Sequence, residues 1–186
     1  DVCSLISKKY NLIKNDWNGF NVLQQDISRV GALDIGFYNN KFSKNFDKNL
    51  SQHLSAHRPL VFLLNQDEIQ KDIFKDSFVV YLGHHGEASA EFADILLPVP
   101  AYTEKSSTFV NMEGRVMQSN ACYSPIGEAK EEWKIFRALT EFFGKKLNFN
   151  NLTELRLELC NENKIFKELN VLPNINSLDF GNKKLI

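Results

Sequence analysis

Cysteine is scarce in this chain. Three occur, Cys3, Cys122 and Cys160, odd in number and far apart. No C-x-x-C pair exists, so neither a zinc ribbon nor an iron–sulfur binding run is encoded. Three reduced thiols in a reducing compartment are the expected state. An excess of one charge is also missing. Basic and acidic side chains number 22 and 23, a net charge of -1, which gives no electrostatic case for nucleic acid or anionic lipid as a partner. Long apolar runs are absent too. Stretches such as Pro59–Leu64 and Ile95–Pro100 fall far short of the about 20 residues a membrane span requires. The N-terminus has no cleavable signal pattern. The chain opens on Asp1 rather than Met, so a fragment or an incompletely resolved chain is expected.

What is present suffices for a core. A chain of 186 residues, 43% of them hydrophobic, suits one domain, or one domain with a helical appendage. Asn is abundant at both ends and scarce between Gln66 and Asn120. That reads as coding bias at tolerant positions, as in AT-rich organelle or endosymbiont genomes.

The apolar spacing predicts a helix over residues 4–14, with Leu5, Ile6, Tyr10 and Ile13 near one face. Phe20, Leu23, Ile27 and Val30 share a second helical face, with Gly31 as its stop. Residues 36–40 read as loop, and 41–58 as loop and short helix. Pro59 precedes Leu60–Leu64, a short run suited to a buried strand. Asp67 can cap a helix reaching about Phe74. Phe78–Leu82 is a second buried strand ended by Gly83, and a helical stretch follows from about Ala88 to Ala93. Ile95–Leu97 is a third strand, closed by Pro98 and Pro100. Strand–helix–strand–helix–strand at this spacing implies right-handed crossovers and a parallel sheet.

Thr108–Val110 and Arg115–Met117 flank Asn111–Gly114, a hairpin signal with glycine where positive φ is tolerated. Glu131–Phe143 is expected as a helix, with Trp133, Phe136, Leu139 and Phe143 on one face and Gly144 ending it. Residues 151–169 continue as helix through Leu152, Leu155 and Leu159, and the tail from Leu172 is Asn-rich. The linear division is a helical and irregular lead-in (1–58), an α/β core (59–146) and a helical C-terminal extension (147–186).

Candidate chemistry is sparse. Gly83-His84-His85-Gly86-Glu87 follows a strand and could cradle phosphate, but it is G-x-x-G with no following lysine, so a tight turn is favoured. His84, His85, Glu87 and Glu91 contain no H-x-x-x-H pair and make a weak metal set. Asn65, Gln66 and Asp67 stand at a strand's carboxyl end, where open α/β sheets bind ligands. For Asp67, helix capping is favoured over holding a ribose. The densest polar cluster runs from Glu104 through Lys105, Ser106, Ser107, Thr108, Asn111 and Glu113 to Arg115. It could orient a polar ligand, or simply hold its own loop together. No G-x-S-x-G is present, and no cysteine is near a histidine.

Several stretches carry a resemblance. Ala93-Asp94-Ile95-Leu96-Leu97-Pro98, followed by Glu104 through Thr108-Phe109-Val110-Asn111-Met112-Glu113-Gly114-Arg115, resembles the molybdopterin oxidoreductase superfamily. Gly127-Glu128-Ala129 and Trp133-Lys134-Ile135 fit the same pattern. Trp17–Leu23, Ser28–Phe37, Tyr81–Gly86 and Thr103–Ser106 are similar to the large iron–sulfur subunit of respiratory complex I, the 75 kDa subunit family of NADH-quinone oxidoreductase.

The resemblance implies an α/β, Rossmann-like parallel-sheet domain with flanking helical segments. It implies a structural role in a subunit of NADH:quinone oxidoreductase, enzymatic at the level of the complex but without catalysis in this chain. No catalytic, metal or cofactor-binding residue is expected here. Glu104, Lys105, Asn111, Glu113 and Arg115 are candidates for a vestigial pterin pocket, expected to be satisfied by one another and by backbone. Asn65-Gln66 stands where the family often has a glycine-containing turn, which makes close nucleotide approach harder. Iron–sulfur clusters are expected in an N-terminal portion absent from this chain or in partner subunits. The expected partners are other peripheral-arm subunits and that iron–sulfur portion, with helices 131–143 and 151–169 as candidate contacts. The expected site is the matrix side of the mitochondrial inner membrane, or the cytoplasmic face of a bacterial plasma membrane. The alternatives are an active molybdopterin-dependent oxidoreductase fragment and a free-standing small-molecule binding α/β module.

Overall fold

The computed structural model describes residues 2–14, 18–24, 26–37, 59–67, 69, 71–86 and 88–171. By its internal contacts the chain divides into two units. One comprises Asp1–Tyr38, Thr108–Gln118 and Phe149–Ile186, the other Asn39–Ser107 and Ser119–Asn148. Nearly all of the expected core, 59–146, lies in the second unit. The exception is the hairpin, which groups with the lead-in and the C-terminal extension.

The second unit is built on a three-stranded parallel sheet in the order β1 (Leu60–Leu64), β2 (Phe78–Gly83), β3 (Ile95–Pro98). Val61 pairs with Val79 and Leu63 with Tyr81, and on the other side of β2 Leu82 pairs with Leu97. The period of two sends alternate residues to opposite faces. Leu63, Val79 and Tyr81 pack with Phe74 against Val61, Ile73 and Phe92 on one face. Val80 and Leu82 pack with Val99 against Phe62, Leu97, Ile135 and Phe136 on the other. Short 3-10 turns, Lys71–Phe74 and Ala88–Phe92, bring Phe74 and Phe92 to the first face, where their rings stack at 5.9 Å. Helix α3 (Glu132–Phe142) supplies Ile135 and Phe136 to the second, with Phe136 edge-on to Phe62 at 5.4 Å.

The sheet is therefore parallel, as expected, but only its middle strand is buried. Val79–Leu82 are all buried, whereas β1 buries Leu63 alone and β3 leaves Ile95 and Leu96 exposed. Asp94 fixes the β3 entry. Its carboxylate accepts from the Val79 backbone N–H at 2.7 Å, while its own N–H donates to the Val79 carbonyl at 2.8 Å. Gly83 ends β2 for a local reason: a Cβ there would overlap the Tyr81 ring.

In the first unit, β4 (Thr108–Val110) and β5 (Val116–Gln118) form the antiparallel hairpin, its second strand one residue later than expected. Gly114, at φ +81°, completes the turn. Val110 and Val116 are buried with Phe166, against Val30 of α2 (Arg29–Asp34) and Leu159 and Cys160 of α4 (Leu152–Glu162).

Five sequence expectations fail here. Helix α1 spans Val2–Lys9, not 4–14, because Asn11 at φ +48° terminates it: the Leu12 N–H bonds Ser7 O and the Asn11 N–H bonds Lys8 O. No helix covers 20–24, and Gly31 does not stop α2 but lies within it, against Val110. Gly36, at φ +71°, ends α2 with the same pair of bonds, Phe37 to Ala32 and Gly36 to Leu33. Phe143, expected on one face with Phe136, lies just past the end of α3 and is 70% exposed. Finally, α4 ends at Glu162, and a 3-10 turn, Lys164–Lys167, follows. The expectations for 38–58, for Glu87 and for the tail from Leu172 lie outside the described residues.

Leu82 is fully buried and Leu96, on the neighbouring strand, is 56% exposed. Leu82→Ala is expected to cost about 2–5 kcal/mol. Leu96→Ala is expected to stay within about 0.5 kcal/mol. Denaturant unfolding of both variants checks this, and equal losses would contradict the burial of β2 alone.

Candidate functional site

The carboxyl ends of β1 and β2 meet at Asn65, Gln66, Asp67 and the His84-His85-Gly86 turn, the place where an open parallel sheet offers a crevice. Asn65 leaves β1 in the left-handed region, φ +48°, which asparagine tolerates better than most residues. Its N–H donates to Leu82 O at 2.7 Å. This geometry turns its side chain into a bridge. Nδ2 donates to Glu132 Oε1 at 3.2 Å, and Oδ1 faces His84 Nδ1 at 2.9 Å. Since an amide oxygen only accepts, His84 carries its proton on Nδ1 in this arrangement. Glu132 Oε1 also pairs with Lys105, both side chains being less than one-fifth exposed. The result is a continuous chain, His84–Asn65–Glu132–Lys105, tying two strand ends, a connecting loop and a helix start within one unit.

The neighbouring groups are similarly occupied. Tyr81 Oη donates to Asp67 Oδ1 at 2.6 Å, and the fully buried Ser89 donates to Gln66 O at 2.6 Å. Asp67 thus anchors a tyrosine, where the sequence favoured a helix cap. His84 and His85 stack edge to face, 4.5 Å between centroids.

At the start of α3, Glu131 accepts from Lys134 Nζ at 2.6 Å and Trp133 Nε1 at 3.0 Å. Burial pushes its carboxyl up. The bonds from Lys134 and Trp133, with the charges of Lys134 and Lys105, outweigh that and hold it below its ordinary value.

The five pocket candidates divide between the units. Glu104 and Lys105 belong to the second, Asn111, Glu113 and Arg115 to the first. Glu104 Oε2 accepts from Ala101 N–H at 3.0 Å, and Lys105 pairs with Glu132. Asn111 Oδ1 accepts from the N–H groups of Glu113 and Arg115 at 3.0 and 2.9 Å, holding the turn. Glu113 Oε2 accepts from Asn111 Nδ2 at 3.3 Å, and Arg115 Nη1 donates to Asn170 O at 2.7 Å. Within the second unit, Asn65, His84 and Glu132 join Lys105 in the polar chain. The sequence offered His84 for a phosphate turn or a weak metal set and Asn65 for a ligand-binding strand end, and the structure instead bonds the two to each other. Glu132 was hidden because its partner Asn65 is 67 positions away.

The family model for Molybdopterin oxidoreductase matches residues 2–142, and the chain belongs to this family. Among curated relatives, it is 47% identical over 154 residues to the mitochondrial NADH-ubiquinone oxidoreductase 78 kDa subunit of Candida albicans, covering 82% of this chain and 20% of the relative. It is 43% identical over 153 residues to the NADH-ubiquinone oxidoreductase 75 kDa subunit of Reclinomonas americana, covering 79% and 21%. It is 39% identical over 171 residues to a subunit of the NADH-quinone oxidoreductase of Rickettsia conorii, covering 90% and 24%. The chain thus spans about a fifth to a quarter of the length of these relatives.

The family name implies a pterin that carries molybdenum, and the described residues do not fit one. At the sheet's carboxyl edge Asn65, His84, Glu132 and Lys105 are bonded to one another, and Asp67 to Tyr81. Cys3 and Cys122 are exposed, and Cys160 lies on α4 with Sγ against Phe166 O. Among the described residues no three His, Cys, Asp or Glu side chains converge as metal ligands.

Two outcomes are expected. Glu132→Ala leaves Lys105 and Asn65 without their common acceptor and costs about 1.5–3 kcal/mol. A double-mutant cycle with Lys105→Met gives a coupling above about 0.5 kcal/mol, whereas strict additivity would contradict the pairing. The second concerns pH. Because Glu131 titrates lower when folded, its contribution is complete above about 4.5, its ordinary value, and is lost as pH falls through the folded-state value. Glu131→Gln should flatten this part of an acid-unfolding curve, and an unchanged slope would refute the assignment.

Proposed function

We infer that this chain is a structural, non-catalytic domain of the large iron–sulfur subunit of respiratory complex I. It braces the peripheral arm while electrons pass from NADH to quinone through iron–sulfur clusters lying outside it. The observation that carries this reading is the His84–Asn65–Glu132–Lys105 chain. It fills the carboxyl edge of the sheet, where open parallel sheets bind ligands, with bonds among the chain's own groups. The similarity to complex I subunits over most of the chain supports the assignment to that assembly.

In this reading Glu104, Lys105, Asn111, Glu113 and Arg115 hold loop and turn and contact no cofactor. The partners are the iron–sulfur portion of the same subunit and neighbouring peripheral-arm subunits. No helix among the described residues is long and apolar enough to cross a membrane. The chain accordingly reaches the membrane through its assembly, on the matrix side in a mitochondrion or the cytoplasmic side in a bacterium.

Native electrophoresis of mildly solubilised membranes tests the proposal, with elemental and pterin analysis of the band. Co-migration with NADH dehydrogenase activity, without stoichiometric molybdenum or pterin, is the expected result. Migration near the chain's own 21.4 kDa would overturn it, as would a pterin that Arg115→Ala releases.

A further inference from the structure

Helix α1 is turned inside out. Val2 and Leu5 are 69% and 67% exposed, and Ile6 and the following Tyr10 are also exposed, while the buried residue is Ser7. At 3.6 residues per turn Leu5 and Ser7 stand about 160° apart, so the apolar side of the helix faces away from the side that packs. A surface helix of a finished domain shows the reverse arrangement. The described residues 2–14 carry Lys8, Lys9 and Lys14 and no acidic side chain, and Lys9, four positions after Leu5, makes the C-terminal end of the exposed face basic.

Two observations bear on what covers this face. The family match begins at residue 2, so α1 belongs to the family domain and is no appended tail. The relatives are also four to five times longer than the segments matched, so most of such a subunit lies outside this chain. We propose that the face formed by Val2, Leu5, Ile6 and Tyr10 docks onto the remainder of the same subunit, on an apolar surface with an acidic border opposite Lys8 and Lys9. This rests on the reading of the chain as part of a complex I large subunit. A lone helix of eight residues is marginal in water, so docking would also stabilise α1 itself.

Two native cysteines provide the probe. Cys3 lies on α1 and Cys122 in the other unit, and both are exposed in the isolated chain. The native complex is treated with a maleimide, and each site is compared with the same sample in denaturant. The expected result is Cys3 labelling slowed at least about tenfold in the native complex, with amine cross-links from Lys8 or Lys9 to the remainder of the subunit. Leu5→Asp with Ile6→Asp should abolish both while the chain still folds, as judged by circular dichroism.

If the chain co-migrates with the complex but Cys3 labels freely, this docking proposal fails and the functional reading stands. Cross-links to a different subunit or to a second copy also overturn it. If the chain does not co-migrate at all, the functional reading falls and the docking proposal falls with it.

Discussion

Everything in the second unit depends on β2 being buried on both faces. Four consecutive residues, Val79–Leu82, lie out of water, which alternation along a one-sided strand cannot achieve. Hydrogen bonding to β1 and β3 satisfies the backbone, and the 3-10 turns and α3 cover the two faces. Burying side chains of this size contributes about 1.5–3 kcal/mol each. It also fixes register, since a slip by one residue would exchange the Phe74 and Phe136 environments. Register in turn places Asn65 and His84 beside each other where the strands end.

That placement gives the site its character. A parallel sheet's carboxyl edge is a natural crevice, and this one is laced by the protein's own groups. Asn65 in the left-handed region reaches both His84 and Glu132, and Glu132 takes Lys105. A glycine at this position would reach none of them. The bridging side chain at position 65 ties the two strand ends to the start of α3. Asp94 and Asn111, both within the family's sequence pattern, carry structural tasks in the same way, one clasping β2 and the other closing the hairpin turn.

The sheet was legible because its strands are short apolar runs bounded by Pro59, Gly83 and Pro98, and the hairpin because Asn111 and Gly114 have few alternatives at their turn positions. The helix expected over Phe20–Val30 was misread because the middle of its periodic face stays in water. Leu23 and Ile27 have helical spacing, yet both are exposed, so among the described residues the pattern has no buried face. Periodicity predicts a helix only when something rewards the buried face. Gly31 was taken as punctuation, but its lack of a side chain serves close packing on Val110. The polar chain at the sheet edge was beyond sequence reading, because Asn65, His84, Lys105 and Glu132 come from four separate segments.

A density map of the assembled complex at the carboxyl edge of β1 and β2 addresses the central claim most directly. The account predicts Asn65 and His84 in hydrogen-bond contact, with Glu132 bridging to Lys105 and only protein filling the crevice. A pterin, nucleotide or metal wedged between Asn65 and His84, with Glu132 turned away, would contradict it.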